Sequence, residues 1–386
     1  MFSFNIYNPT RIVFGKDKIS QIDKLIPKDA KVLITYGGGS VKKYKTLDKV
    51  KEALGDRIHF EFGGIEPNPK YDTLMKALDI VNKENINCLL AVGGGSVIDG
   101  TKFIKLAANY DGEPKELLTK GGSHKVKENK NINIATVLTL PATGSEMNSG
   151  AVVTCDEGKF AVNNPMCFPM FSILDPTLTY TLPETQVANG IVDTFVHVNE
   201  QYLTYPVDAR FQDRTSEGIL RTLIEIGQDT IKNPTNYDLR ANLMLCATMG
   251  LNGLIGSGVP QDWTSHMIGH ELTALFGLDH GKTLAIVMPS LFEVKKDAKR
   301  DKLIQYGKRV FDIESTDDNE IIDLAISKTR EFFESLGIKT RLSDYGIKKE
   351  QIDLVIEQLK NHNFTSLGEN RDIDLETSRK ILENAL

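Results

Sequence analysis

An α/β half followed by an all-helical half is the architecture this chain predicts, and three observations carry it. Unbroken apolar runs alternate with helically spaced segments as far as Leu174, the pattern of a parallel sheet covered on both faces. Two of those runs end in the same glycine-rich turn. Past Asp175-Pro176 and Leu182-Pro183 the strand pattern stops while helical spacing continues. We expect the domains to be 1–180 and 181–386.

The elements follow in order. Val32-Leu33-Ile34-Thr35-Tyr36 reads as a strand, stopped by Gly37-Gly38-Gly39-Ser40. Ile58 to Phe62 is the next, ended by Gly63-Gly64, and Tyr71 to Glu84 carries Leu74, Leu78 and Val81 on one helical face. Cys88-Leu89-Leu90-Ala91-Val92 is a wholly apolar strand running into Gly93-Gly94-Gly95-Ser96. Ile132 to Leu140 and Phe171 to Leu174 complete the expected strands. The second half reads as helices at Gln186–Tyr202, Phe211–Ile231, Leu239–Ile255, His266–Phe276, Leu303–Phe311, Asp318–Leu336, Lys349–Asn361 and Leu375–Ala385.

Composition narrows the function. With 46 basic and 52 acidic side chains among 386 residues the formal charge is −6, which argues against a nucleic-acid surface, since that needs clustered excess Lys and Arg. Four cysteines without a C-x-x-C pair read as reduced, buried thiols. The start, Met1-Phe2-Ser3-Phe4-Asn5-Ile6-Tyr7, lacks the basic and long apolar segments of a secretory leader. The longest uncharged stretch, Ala241 to Gln261, is broken by Asn242, Asn252, Ser257, Pro260 and four glycines, so it fits a buried helix and loop rather than a membrane span. The expectation is a cytoplasmic protein with no membrane or nucleic-acid partner.

Both Gly-Gly-Gly-Ser runs stand between a strand and a helix. Glycines let a backbone approach a phosphate, and free amides at a helix start attract anions. Neither run fits G-x-G-x-x-G, because its sixth position is Lys42 or Ile98. Two copies in matching contexts nevertheless point to a nucleotide. Its type follows from charge: enzymes using NAD place a carboxylate against the adenosine ribose, whereas those using NADP avoid one. After Tyr36 no acid occurs before Asp48, while Lys42, Lys43 and Lys45 lie close by. The reading favours NADP(H) over NAD(H), against the plain alternative of a solvated lysine face.

Histidines carry the second half. Asp193 and His197 are four apart in an otherwise apolar or small run, so both share one helical face. Burying them is costly unless they are paired or bind a metal. His266 and His270 repeat the spacing, with Glu271 beside the second, and His280 follows in what looks like a helix end or loop. One carboxylate with two or three imidazoles suits Fe²⁺, Zn²⁺ or another first-row divalent ion. The spacing alone leaves open whether His270 or His280 completes the set. A nucleotide in one half and a metal in the other would meet in an interdomain cleft, where the metal polarises a carbonyl or alkoxide oxygen and a nicotinamide exchanges hydride. His270, if it is not a ligand, is placed to relay the proton.

With these residues in view, the chain resembles the iron-containing, or group III, alcohol dehydrogenase family, most closely its NADPH-dependent aldehyde reductase and butanol dehydrogenase branch. The likeness runs over nearly the whole chain, through Asn8-Pro9-Thr10-Arg11, Gly63 to Pro69, Ala91 to Asp99, Leu140 to Glu146, Gly190 to His197, Gly258 to Trp263 and His266 to His280. It implies a dinucleotide-binding α/β domain before an all-α metal-binding domain, an architecture shared with dehydroquinate synthase. It implies Asp193, His197, His266 and His280 as metal ligands, which leaves His270 as the histidine of the substrate cleft. For the cofactor it implies Gly94, Gly95 and Ser96 as the pyrophosphate turn with Asp99 just behind, and Asn68, Thr139, Thr143, Asn148, Lys159 and Leu178 as further contacts beside Gly37, Gly38, Gly39 and Ser40. Relatives that use NAD carry an Asp near Gly38 and Gly39, and none stands here. The resemblance also implies a homodimer, with either iron or zinc.

The function expected is therefore hydride transfer between NADP(H) and short-chain aldehydes or primary alcohols. A metal lyase resembling dehydroquinate synthase ranks below it, because that chemistry needs a strongly basic pocket and the segments around the histidines are apolar. A non-catalytic nucleotide sensor is the remaining class.

Overall fold

The computed structural model describes residues 1–119, 121–156 and 158–386. Two compact units emerge. The α/β unit comprises Tyr7–Leu182 and Pro234–Thr248; the helical unit comprises Met1–Ile6, Pro183–Asn233 and Met249–Leu386. This division differs from a single cut at residue 180, because the first six residues and the 234–248 segment each join the unit remote from them in sequence.

In the α/β unit, strands β1 (Arg11–Phe14), β2 (Val32–Tyr36), β3 (His59–Phe62), β4 (Cys88–Gly94), β5 (Asn133–Leu140) and β8 (Phe171–Leu174) form one sheet in the order β1-β8-β5-β4-β2-β3. Every pairing is parallel. Strands β6 (Gly150–Cys155) and β7 (Gly158–Asn163) make a separate antiparallel hairpin. Helices α1 (Ile22–Leu25), α2 (Ser40–Lys43), α3 (Thr46–Leu54), α4 (Tyr71–Glu84) and α5 (Gly95–Ala108) connect the strands. Side chains one residue apart point to opposite faces, so Leu33, Leu89 and Ala91 pack with α4 and α5, while Val32, Ile34, Leu90 and Val92 pack with α1 and α3. Both faces are thereby covered, which is why the strands carry no polar alternation.

The β2-to-β3 connection and the β3-to-β4 connection lie on opposite faces, and β2 and β4 are neighbours. The carboxyl ends of β2 and β4 thus flank a topological switch point, where open α/β sheets bind ligands. Tyr36 pairs with Val92, so the two glycine-rich turns emerge side by side.

Helices α6 (Glu184–Tyr202), α7 (Arg210–Lys232), α8 (Tyr237–Gly250), α9 (Thr264–Phe276), α10 (His280–Val294), α11 (Arg300–Val310), α12 (Asp318–Ser335), α13 (Ile352–Asn361) and α14 (Leu375–Asn384) follow. All but α8, which falls almost wholly in the α/β unit, build the helical unit. Three expectations need correction. Strand β1 and the β6–β7 hairpin were not read from the sequence, because β1 is a short, partly exposed edge and the hairpin is split by Asp156 at φ 51°. The helix expected to reach Ile255 ends at Gly250, ahead of a turn with Gly253 at φ 91°. Helix α10 was missed because it is buried nearly all round and contains Pro289, so it shows no polar face. No helix among the described residues is long and apolar enough to cross a membrane.

Candidate active site

Helix α6 runs through the middle of the helical unit, and every residue from Gly190 to Tyr202 is buried. Asp193, His197 and Glu200 share one face of it at i, i+4 and i+7. Three imidazole nitrogens surround the Asp193 Oδ1 oxygen: His197 Nδ1 at 3.5 Å, His266 Nε2 at 3.6 Å and His280 Nε2 at 3.6 Å. Asp193 Oδ1, His197 Nδ1 and His266 Nε2 are buried with no hydrogen-bond partner. Donors on a tetrahedral first-row ion bonded at about 2.1 Å stand about 3.4 Å apart, so this spacing is that of ligands around a cation. The donor atoms of Asp193, His266 and His280 all lie within 4.8 Å of one another. His197 stands at the edge of that group, its ring stacked on His266 with centroids 4.5 Å apart.

Glu200 was not anticipated. Its carboxylate accepts the His266 backbone N–H at 3.1 Å and makes a very close contact with His266 Nδ1, which leaves Nε2 aimed at Asp193. A carboxylate behind a ligating imidazole fixes its tautomer and raises its basicity. The i+7 spacing from Asp193 was the available signal. Burial pushes the His266 imidazole down, but Glu200 and Asp193 outweigh it and raise it to about 9. At His197 burial, with the His266 charge beside it, outweighs the pull of Asp193 and pushes the imidazole down to about 4. Burial also works against the charge on Asp193, yet His197, His266 and His280 together hold its carboxyl below the usual range.

Two close approaches make the convergence possible. A Cβ at Gly281 would lie 2.7 Å from the Asn189 Cα, so the glycine lets the start of α10 press on α6 and bring in His280. The start of α9 is pinned by Asp262, whose Oδ1 accepts the Thr264 N–H at 2.9 Å while its own N–H donates to the Glu200 carbonyl at 2.7 Å. Asp262 is held in turn by the buried Lys299, whose ammonium lies 3.0 Å from Asp262 and 2.7 Å from Glu369 and donates to the Leu203 carbonyl at 2.7 Å. His270, one turn past His266, is half-buried beside His280 with ring centroids 5.3 Å apart.

In the α/β unit the two glycine-rich turns differ. A Cβ at Gly38 or Gly39 would meet nothing within 4 Å, so that backbone is open to a ligand. A Cβ at Gly95 would lie 2.5 Å from Thr143 Oγ1, so the second turn is overlaid by the loop following β5. The Asn68 N–H donates to Ser96 Oγ at 3.2 Å, bringing two expected cofactor residues together. Thr139, Thr143, Asn148, Lys159 and Leu178 are all half-buried. Asp99, just behind the second turn, accepts from Ser145 Oγ at 2.6 Å and from the Val152 N–H at 2.9 Å, so it also holds the loop that follows β5.

Comparison with known proteins agrees across the whole chain. The profile described as iron-containing alcohol dehydrogenase matches residues 9–176, and that of the C-terminal region of the Fe-containing alcohol dehydrogenase family matches 187–386. The NADPH-dependent aldehyde reductase of Escherichia coli is 56% identical, with 100% of each chain covered. The structure of the substrate- and cofactor-free aldehyde reductase from E. coli superimposes with a TM-score of 0.94 at 54% identity, covering 100% of both chains. That of NADH-dependent butanol dehydrogenase A from Thermotoga maritima gives 0.94 at 32% identity, covering 100% of this chain and 99% of its own.

The Lys299 network makes a direct prediction. Lys299→Ala leaves two buried carboxylates facing each other and should cost about 3–5 kcal/mol in urea unfolding. A loss below about 1 kcal/mol would show that the ammonium carries no net charge compensation there.

Proposed function

The chain belongs to the iron-containing alcohol dehydrogenase family, and from that premise we propose that it reduces short-chain aldehydes, and oxidises the matching primary alcohols, using NADP(H) and one divalent metal. The observation that carries this reading is the set of three imidazole nitrogens around the buried Asp193 Oδ1. In this reading Asp193, His197, His266 and His280 hold the ion, and imidazole with carboxylate suits Fe²⁺ and Zn²⁺ alike. When bound, the ion supplies Lewis acidity toward the substrate oxygen and the nicotinamide supplies hydride.

The chain's own residues do the rest. Glu200 orients His266, and Asp262 with Lys299 sets the start of the helix bearing both His266 and His270. His270, beside His280 and half-buried, delivers the proton that an alkoxide needs to leave as alcohol. Gly37, Gly38, Gly39 and Ser40, with Gly94, Gly95 and Ser96, offer backbone amides to the cofactor phosphates. Thr139, Thr143, Asn148, Lys159, Leu178 and Asn68 line the remainder of the cofactor's path, and Asp99 supports them from behind.

Charge favours a 2′-phosphate at the first turn. Glu61 on β3 is answered by Lys51 at 3.2 Å, by the Tyr36 hydroxyl at 3.2 Å and by Lys42 at 4.0 Å. No uncompensated carboxylate from that strand therefore opposes the phosphate. A second copy of the chain is proposed to cover Met1, Phe2, Phe4, Ile6 and Tyr7, all large and exposed, which makes the working unit a homodimer.

Three measurements test this. Butanal reduction with NADPH and with NADH, before and after chelation and metal add-back, should show NADPH preference and loss on chelation. Turnover that survives in metal-depleted protein, or in a metal-free His266→Ala variant, would overturn the metal assignment. The cofactor argument is tested at Gly38, where the space is open, rather than at Gly39, whose φ of 110° would strain any other residue. Gly38→Asp should raise the KM ratio of NADPH to NADH about tenfold, or about 1.4 kcal/mol; an unchanged ratio refutes it. Sedimentation equilibrium should give the mass of two chains, and a single-chain mass would refute the dimer.

A further inference from the structure

Helix α9 carries His266 and His270 on one face, and the residues flanking His270 are both packed against other helices. A Cβ at Gly269 would lie 2.9 Å from Thr283 Oγ1, so that side of α9 presses on α10. Glu271 is buried on the other side, where its Oε1 faces His362 Nδ1 at 2.8 Å. A carboxylate can only accept, so the hydrogen sits on Nδ1. His362 directly follows α13, and its backbone N–H donates to the Gln358 carbonyl at 2.9 Å. Successive helical residues point about 100° apart, so Gly269 against α10 and Glu271 against the end of α13 leave His270 the direction between them.

The connection from α13 to α14 bears on α9 a second time. The Leu367 N–H donates to the Ile373 carbonyl at 2.8 Å and the Ile373 N–H to the Leu367 carbonyl at 3.1 Å, which closes a loop. Inside that loop Glu369 lies 2.7 Å from the Lys299 ammonium, the group that holds Asp262 before the start of α9. One stretch of chain, His362 to Glu369, therefore acts on both the start and the middle of the helix. His270 stands six residues past Thr264, so the anchor at Asp262 does not by itself fix its direction.

We propose that Glu271 and His362 are positioning residues for proton transfer: their hydrogen bond sets the roll of α9 about its axis, and with it the aim of the His270 imidazole. This rests on the reading that His270 delivers the proton. There the His270 N–H proton passes to the alkoxide oxygen left by hydride transfer, forming the alcohol O–H, and the imidazole regains a proton from water. Glu271 and His362 touch neither reactant and act through His270. Packing alone does not account for the pair, since a buried carboxylate is costly and two apolar side chains would fill the same space at less cost. What an apolar pair lacks is direction: apolar contact is non-directional, whereas a hydrogen bond fixes both distance and angle.

The test is butanal reduction by the metal-loaded enzyme at saturating NADPH. His362→Leu should lower kcat about tenfold, part of the about 100-fold that loss of a proton donor costs, with metal content and KM for NADPH as in the wild type. The solvent deuterium isotope effect on kcat should rise, because the proton step becomes slower. His362→Asn, whose amide N–H stands where the Nδ1–H does, should recover most of kcat; an Asn variant no faster than the Leu variant overturns the hydrogen bond's role. Glu271→Leu combined with His362→Leu leaves no unpaired carboxylate, so its urea midpoint should return toward the wild type while kcat stays low. A double variant that regains kcat along with stability overturns the proposal, as does a folded His362→Leu protein with wild-type kcat and isotope effect. If His362→Leu does not fold, the double variant decides by the same readouts. His270→Ala separates the two levels. If it keeps wild-type kcat and isotope effect, the proton-delivery reading falls and the positioning with it; if it loses kcat and the His362 variants do not, only the positioning falls.

Discussion

Burying one carboxylate is the constraint around which the helical unit is organised. Asp193 sits in a helix whose neighbours from Gly190 to Tyr202 are all out of water, and a lone anion there would be very costly. The cost is met by bringing three imidazoles to a single oxygen from α6, α9 and α10. That demand propagates outward. It requires Gly281, because any side chain there would hold α10 off α6, and it requires Glu200, because an imidazole must be told which nitrogen to present. It requires Lys299 as well, since the start of α9 is anchored on Asp262, which is itself a buried anion.

The α/β unit answers a different constraint. A parallel sheet leaves its strands at one edge, and reversing the direction of the connections opens a crevice there. Here β2 and β4 deliver their glycine-rich turns into that crevice side by side. The first turn is left open at Gly38 and Gly39, whereas the second is overlaid by the loop carrying Thr143. Glycine therefore serves two purposes in one motif: an exposed backbone in one copy, and close packing of the protein against itself in the other.

Those features were legible in the sequence to unequal degrees. The central strands were plain because both faces of the sheet are buried, which removes charged residues from Val32–Tyr36 and Cys88–Val92 alike. Asp193, His197 and His266 stood out as polar residues in apolar helices. The choice between His270 and His280 could not be made from spacing, since His280 reaches the cluster from another helix that shows no amphipathic signal. Glu200 was hidden by the ordinary look of a Glu near a helix end, and its i+7 position from Asp193 was the one signal available. Lys102 and Lys299 were hidden for the same reason, as single lysines give no hint of burial. The partners of Asp99 were visible only once the loop after β5 was seen to fold back on α5.

The two buried lysines show how the surroundings of a charge decide its use. Lys299 lies between Asp262 and Glu369, whose charges outweigh the effect of burial and hold its proton more firmly than in water. Lys102 donates to a hydroxyl, an amide oxygen and a carbonyl, none of them charged, and Ser145 in turn donates to the Asp99 carboxylate. Burial outweighs the pull of Asp99, Cys167 and Glu146, so its proton is held less firmly. One lysine is thus a permanent clamp on the start of the helix that carries His266 and His270. The other, less firmly protonated, fastens the segment from Ser145 to Gly150 to α5. A clamp suits side chains that must converge on one buried oxygen, as those around Asp193 do.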